Sequence, residues 1–295
     1  MSPLPPRTMN NEPLVLEAHG KHAQAVHFTK DGKLLVSCGQ DAAVRLWSVP
    51  SFKPVRAFEG HEKSVNTLSF TADEKRLVTS ASDGTVRAWS FPDGKCQFVL
   101  EKQLLGAIGP DGEHLVTISN KNEVILWDGK SGEKRKTFAP LDKRHTALAF
   151  APSGLFLFVG GTGPIHRVAL PDGTSDGQHK GHQITITCLK PSPNPAILAS
   201  TGADGTLRFW TVVGGDEVNC VALKATGVLQ LAFHPDGRSV AVATEGAIQR
   251  LTAPDGAPLA RFELPVKGVY GLAYSPDGRF LANAAADGRV RVWTL

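Results

Sequence analysis

One strand pattern recurs seven times along this chain, at a spacing that few folds can accommodate. VRLW at 44–47, VRAW at 86–89, VILW at 124–127, IHRV at 165–168, LRFW at 207–210, IQRL at 248–251 and VRVW at 290–293 end at intervals of 42, 38, 41, 42, 41 and 42 residues. Seven units therefore fill the 295 residues. A period of about 40 marks repeats that bury their apolar faces only by stacking on one another. Each unit also carries an alternating strand, ending at Phe28, Phe70, Ile108, Phe150, Pro191, Phe233 or Tyr274. Turns such as Pro110-Asp111-Gly112, Pro235-Asp236-Gly237 and Pro276-Asp277-Gly278 usually follow, and then a second apolar run such as LLVS, RLVTS or FLANA. Short period-two runs separated by Asp-Gly turns predict a four-stranded antiparallel meander in every unit.

Composition agrees. With 41% hydrophobic and 20% charged residues the chain is not disordered, and its 30 Gly and 20 Pro, spread evenly, suit many short strands. No stretch approaches the ~18 uncharged apolar residues of a membrane span, and the N-terminus lacks the basic and apolar regions of a secretory leader. Cys38, Cys96, Cys188 and Cys220 lie far apart with no CxxC pair, so neither a disulfide framework nor a zinc ribbon is suggested. A cytoplasmic setting is expected, with no membrane partner. The 32 basic residues against 28 acidic ones leave a formal charge of +4, too small an excess to indicate nucleic acid.

Gly-His pairs at Gly60-His61 and Gly181-His182, and a Trp closing the third strand, complete the pattern. In these features, over residues 13–295, the chain resembles the WD40 family. The resemblance implies an all-β fold: a seven-bladed β-propeller of four-stranded antiparallel blades, one domain from 13 to 295, preceded by a flexible tail at 1–12. The chain stops two residues after Trp293, so the seventh unit has three strands of its own. Leu16-Glu17-Ala18-His19 aligns with Phe58-Glu59-Gly60-His61 at the 42-residue offset. Residues 13–18 are therefore expected as the outer strand of the last blade, an N-terminal strand closing the ring and removing an open edge.

Three sets could be mistaken for hydrolytic triads: His19, Ser37, Asp41 and Trp47; His61, Thr79, Asp83 and Trp89; His182, Ser200, Asp204 and Trp210. An enzyme rarely needs three copies of one site, and the losses are coordinated. In units four and six Val168 or Leu251 replaces the Trp, Val159 or Val242 replaces the hydroxyl, and the His and Asp are missing. Positions that vanish together behave as one network, and in the WD40 family they form a structural tetrad. Unit three keeps Thr117 and Trp127 with Lys121 at the Asp position; unit seven keeps Asp287 and Trp293 with Asn283 and Pro265 in place of the hydroxyl and His. Blades four and six are expected to rely on apolar packing. The column Arg45, Arg87, Arg208 and Arg291, each two residues before a Trp, is expected to lay its stems on the neighbouring blade.

In a propeller of this topology three columns face one rim, called the top: three and five residues after the His position, and the residue before the Asp. They place Tyr270, His22, Gln24, Gln40, Asn66, Ser82 and Arg144 at the candidate partner-binding rim, with Tyr270 and Arg144 as anchors. Unit three cannot be aligned there because its loop is four residues shorter. In units five and six the columns fall on Ala203, Gly227 and other small groups. The pairs His19/His22 and His179/His182 lack a nearby Cys or acidic ligand, so no metal is expected and no cofactor. Lys130, Lys134, Arg135 and Lys136 read as a solvated face, and Ala169 to Lys180 as an insertion-like loop. The expectation is a non-enzymatic scaffold for a protein or peptide, as a monomeric ring or a subunit of a larger complex. The alternative, a propeller hydrolase or lactonase with a central metal, is disfavoured because the first strands supply almost no carboxylates.

Overall fold

The computed structural model describes residues 7–8, 12–139, 141, 144–223 and 230–295. Its strands form seven sheets, and among the described residues there is no helix. Blade one sets the pattern: Ala23–Phe28, Leu34–Gly39, Val44–Ser48 and Pro54–Phe58, each antiparallel to the next. The first strands are Ala23–Phe28, Val65–Phe70, Gln103–Ile108, His145–Phe150, Ile186–Pro191, Gln230–Phe233 and Val269–Tyr274, and all seven end at the predicted residue. Each meets the first strand of the next blade, and the seventh meets the first. The chain is thus a closed seven-bladed β-propeller.

Burial explains the order of strands within a blade. The second strands are sealed by neighbouring blades and stay buried along nearly their whole length, as in Leu34–Gly39 and Arg76–Ala81. The outer strands face water, and Lys134–Thr137 is exposed at every residue. The core is divided into seven clusters, each shared by two adjacent blades. Val44, Leu46 and Phe58 of blade one meet Leu77 and Trp89 of blade two, for example. Each such large side chain contributes about 1.5–3 kcal/mol on burial, so a blade without neighbours would lose both faces of its core. The turns that follow the first strands are braced locally. Thr29 donates to Asp31 at 2.7 Å, Thr71 to Asp73 at 2.7 Å and Ser275 to Asp277 at 2.6 Å.

Closure uses the N-terminal segment. Leu14–Leu16 runs antiparallel to the third strand of blade seven, with Leu14 opposite Val292 and Leu16 opposite Val290, so the paired strand is shorter than the expected 13–18. His19 N–H donates to the Gly288 carbonyl at 2.9 Å, and Arg289 pairs with Glu17 at 2.9 Å. Gly288 has φ +80°, and a Cβ there would stand 2.1 Å from the His19 carbonyl oxygen. The first strands of blades seven and one also touch backbone to backbone, since a Cβ on Gly271 would lie 2.8 Å from Ala25 Cα. A core cluster covers this seam, with Val290 and Val292 against Leu35 and Trp47.

Two readings need correction. The stretch from Ala169 to Lys180 is no insertion, because it holds Ser175–His179, the outer strand of blade four. The strand was masked by Ser, Asp and Gly, residues that usually mark loops. Within the expected tail, Arg7–Thr8 pair in parallel with Ala260 and Arg261 on the outer strand of blade six.

Deleting residues 1–18 should expose the edge of Val290–Thr294 and cause aggregation or a large loss of stability, whereas deleting residues 1–10 should be mild. Thermal unfolding followed with light scattering distinguishes the two. Equal behaviour of both truncations would remove Leu14–Leu16 as the closing strand.

Candidate functional site

The three His, Ser/Thr, Asp and Trp sets each form one continuous hydrogen-bonded chain. Trp47 Nε1–H donates to Ser37 Oγ at 3.0 Å, Ser37 Oγ lies 3.0 Å from His19 Nε2, and His19 Nδ1 lies 2.7 Å from Asp41. In blade two the corresponding distances from Trp89 through Thr79 and His61 to Asp83 are 2.9, 2.8 and 2.8 Å. In blade five, from Trp210 through Ser200 and His182 to Asp204, they are 2.8, 2.7 and 2.9 Å. An indole can only donate, so the hydroxyl accepts from it and donates its own hydrogen to Nε2; the single proton of the neutral ring then sits on Nδ1, facing the carboxylate. Proton placement matches a hydrolytic triad, but exposure does not. Ser37, Thr79 and Ser200 have no accessible surface.

Burial sets the electrostatics of these chains. It holds His19, His61 and His182 below the usual histidine value, outweighing the opposite pull of Asp41, Asp83 and Asp204. Burial pushes the Asp83 carboxyl up, yet hydrogen bonds from Thr85, His61 and the Glu62 amide together bring it down to about 2. Asp204 reaches about 2 in the same way, against burial, through Thr206, His182 and the Gln183 amide. Three of the four arginines of the column pair their guanidinium heads locally. Arg45 binds Asp41 at 2.6 Å, Arg291 binds Asp287 at 2.5 Å and Arg208 pairs with Glu217, all within their own blades.

The incomplete blades find other acceptors. In blade three Trp127 donates to Thr117 at 2.7 Å, and Thr117 donates to Gln103 Oε1 at 2.7 Å. Gln103 supplies the acceptor that the histidine provides elsewhere, but from the first residue of the first strand, opposite Ser119 as Ala23 is opposite Gly39. It was missed because the shortened connection, Lys102 alone between Glu101 and Gln103, breaks the spacing. In blade seven Asn283 Oδ1 accepts from Trp293 at 2.9 Å. Blade six buries Val242, Ile248, Leu251 and Phe262, as expected of apolar packing. Blade four differs from that expectation, because His145, His166 and His179 are buried beside Phe158, Val159 and Val168. His179, read from sequence as a loop residue, sits at the end of the outer strand between the Phe158 and Trp210 rings, each 5.7 Å away.

The rim is built from β-bulges. In blades one, two, three, four, five and seven the first strand skips one residue against the second, and the skipped residues are Gln24, Asn66, Leu104, Thr146, Thr187 and Tyr270. An extra residue turns its side chain out of the ladder. Five of the six belong to the column located five residues after the His position. The sixth, Leu104, resolves the uncertain alignment of unit three and is 52% exposed. In blade six Gly227 and its neighbours lie outside the described residues. Tyr270 stacks on His22 with ring centroids 5.5 Å apart, and Gln40 lies 3.2 Å from His22 Nδ1. Ser64 donates to Asn66 at 2.9 Å and Asn66 to Ser82 at 3.0 Å. Arg144 is exposed and stands apart from these contacts.

Two measurements test the buried network. His61→Ala should lower stability by about 1–3 kcal/mol, by leaving the buried Thr79 hydroxyl without its acceptor and removing one donor from Asp83. Histidines whose folded pKa is depressed favour the fold above the unfolded value near 6.5, and that contribution is lost as pH falls below it. His145 and His179 are shifted the same way by burial and add to the effect. The melting temperature should therefore be flat above about pH 7.5 and fall between pH 6.5 and 5. The carboxylates add a second loss only near pH 4 and below. A melting temperature that is constant from pH 8 to 5 would contradict neutral buried histidines.

The pattern of the family described as WD domain, G-beta repeat matches residues 11–48, 52–90, 173–211 and 256–294, together more than half of the chain. A stretch of 146 residues is 27% identical to Telomerase Cajal body protein 1 of Bos taurus, covering 45% of this chain and 27% of that protein. Periodic tryptophan protein 2 of Saccharomyces cerevisiae is 28% identical over 183 residues, covering 47% of this chain and 20% of that protein. Eukaryotic translation initiation factor 3 subunit I of Aspergillus fumigatus is 39% identical over 69 residues, covering 23% and 20%. The matches thus span only 20% to 27% of these relatives' length. With four family matches, a closed ring of seven four-stranded blades and the Trp-anchored hydrogen-bond chains between them, this chain belongs to the WD40 repeat family.

Proposed function

We propose that this chain is a non-enzymatic scaffold that holds a protein or peptide partner on the bulged rim, centred on blades seven, one and two and reaching Leu104 of blade three. The observation that carries the reading is the set of six bulges, which turn six side chains out of the ladder beside one rim of a rigid ring. A partner meets an aromatic stack at Tyr270 and His22, preformed hydrogen-bonding groups at Gln40, Asn66 and Ser82, and an apolar contact at Leu104. Mixed aromatic, polar and aliphatic contacts on a fixed frame suit peptide recognition, because the groups lose little freedom on binding. One relative is by name a subunit of a translation initiation factor, which supports a role beside other chains. The four cysteines are free thiols, in keeping with a reducing, cytoplasmic setting.

The triad-like sets take no part in chemistry in this reading. A nucleophile must reach its substrate, and these hydroxyls are sealed between blades. Their bonds satisfy polar groups that would each cost about 1–3 kcal/mol if buried alone.

The test is affinity for the partner recovered with the wild-type protein. Tyr270→Ala should cost about 2 kcal/mol or more, roughly a thirty-fold weakening, with an unchanged melting temperature. Replacing Lys134 and Arg135 on the outer strand of blade three by alanine should have little effect. The reverse result moves the site to that wall and makes binding salt-sensitive. An esterase or protease activity abolished by Ser37→Ala without loss of folding would overturn the non-enzymatic reading.

A further inference from the structure

Blade six differs from the other blades in having a fifth strand. Its outer strand, Pro258–Glu263, carries Arg7–Thr8 in parallel, Arg7 opposite Ala260 and Thr8 opposite Arg261, whereas the other six sheets contain four strands each. Sheet edges with unpaired N–H and C=O groups recruit strands. This one also has an apolar neighbourhood. Leu259 is 42% exposed, and a groove of about 550 Å³ between blades five and six, lined by Val221, Leu223, Leu251, Pro258 and Arg261, opens beside it.

We propose that the outer edge of blade six is a strand-binding site whose occupant is the N-terminal segment of the same chain. Two features select this occupant. Five residues, 9–13, separate the strand from Leu14–Leu16 on the adjacent blade, and the six Cα steps from Thr8 to Leu14 reach up to about 20 Å. A tether that short holds the segment at an effective concentration near the millimolar range, which compensates for the small number of bonds in a two-residue ladder. The segment then ties blade six to blade seven and caps an edge that a foreign strand would otherwise take. Blade six, which lacks the Trp-anchored chain, gains backbone hydrogen bonds from it.

Hydrogen exchange read by mass spectrometry over residues 259–263 tests the site. The full chain should exchange there about ten-fold more slowly than a chain lacking residues 1–10, or than the double variant Arg7→Pro/Thr8→Pro, which removes the donors without changing length. A synthetic peptide of residues 1–12, added at millimolar concentration to the truncated chain, should restore the protection. Residues 290–294 serve as the control and should be equally protected in every variant. Unchanged exchange at 259–263 in both the truncation and the double variant would overturn the proposal. So would protection that depends on protein concentration and coincides with a dimer in sedimentation, because the strand would then come from a second copy.

Discussion

No blade of this molecule can bury itself. A four-stranded sheet with two apolar faces and no helices must find a cover for each face, and here the only cover is another blade. All seven core clusters straddle two blades, so the free energy of the fold resides in the interfaces rather than in the sheets. A row of seven would leave two faces open, and the ring leaves none. Everything particular about the seventh blade follows from that requirement. It borrows Leu14–Leu16 to complete its sheet, uses Gly271 to bring two backbones together, and places Gly288 where a side chain would strike the carbonyl oxygen of His19.

The polar chains between the blades are subordinate to this packing. They satisfy indole, hydroxyl and imidazole groups inside an apolar wall, and the wall tolerates several solutions. Histidine and Asp serve in blades one, two and five, glutamine in blade three, a lone asparagine in blade seven. In blade six the indole is absent and so is the need for a partner. What the set shares is an acceptor for the Trp N–H; the Asp holds a histidine in blades one, two and five and an arginine alone in blade seven. A catalytic role would require the opposite, a fixed cast and an open hydroxyl.

Legibility in the sequence followed the strength of the packing demand. First, second and third strands are apolar runs bounded by Asp-Gly turns, so all seven first strands could be ended at the correct residue. Outer strands face water and carry little signal, which is why Ser175–His179 passed for a loop and the closing strand for a longer one. The tetrads were readable as residues because their spacing is rigid, but Gln103 was not, because one shortened connection displaced it. The arginines show a different limit. Their period was plain, yet which carboxylate each guanidinium meets depends on side-chain paths that spacing does not encode.

The bulges connect these levels. A regular ladder would turn alternate residues of each first strand into the core and leave the rim to loops, which are free to move. Skipping one residue near the top keeps the strand paired on both sides of the skip, as with Ala23 opposite Gly39 and Ala25 opposite Cys38, while Gln24 between them is released from pairing. The released side chain is thus held by a backbone anchored at two points, a stiffer mount than any loop. Because the skip recurs at the same place in six blades, neighbouring rim residues stand at a separation set by the ring and not by their own interactions. Such a mount allows the rim residues to be exchanged freely, Leu104 for Asn66 or Tyr270 for Thr187, without disturbing the core beneath them. The side chains of the rim are thereby separated from those that close the ring.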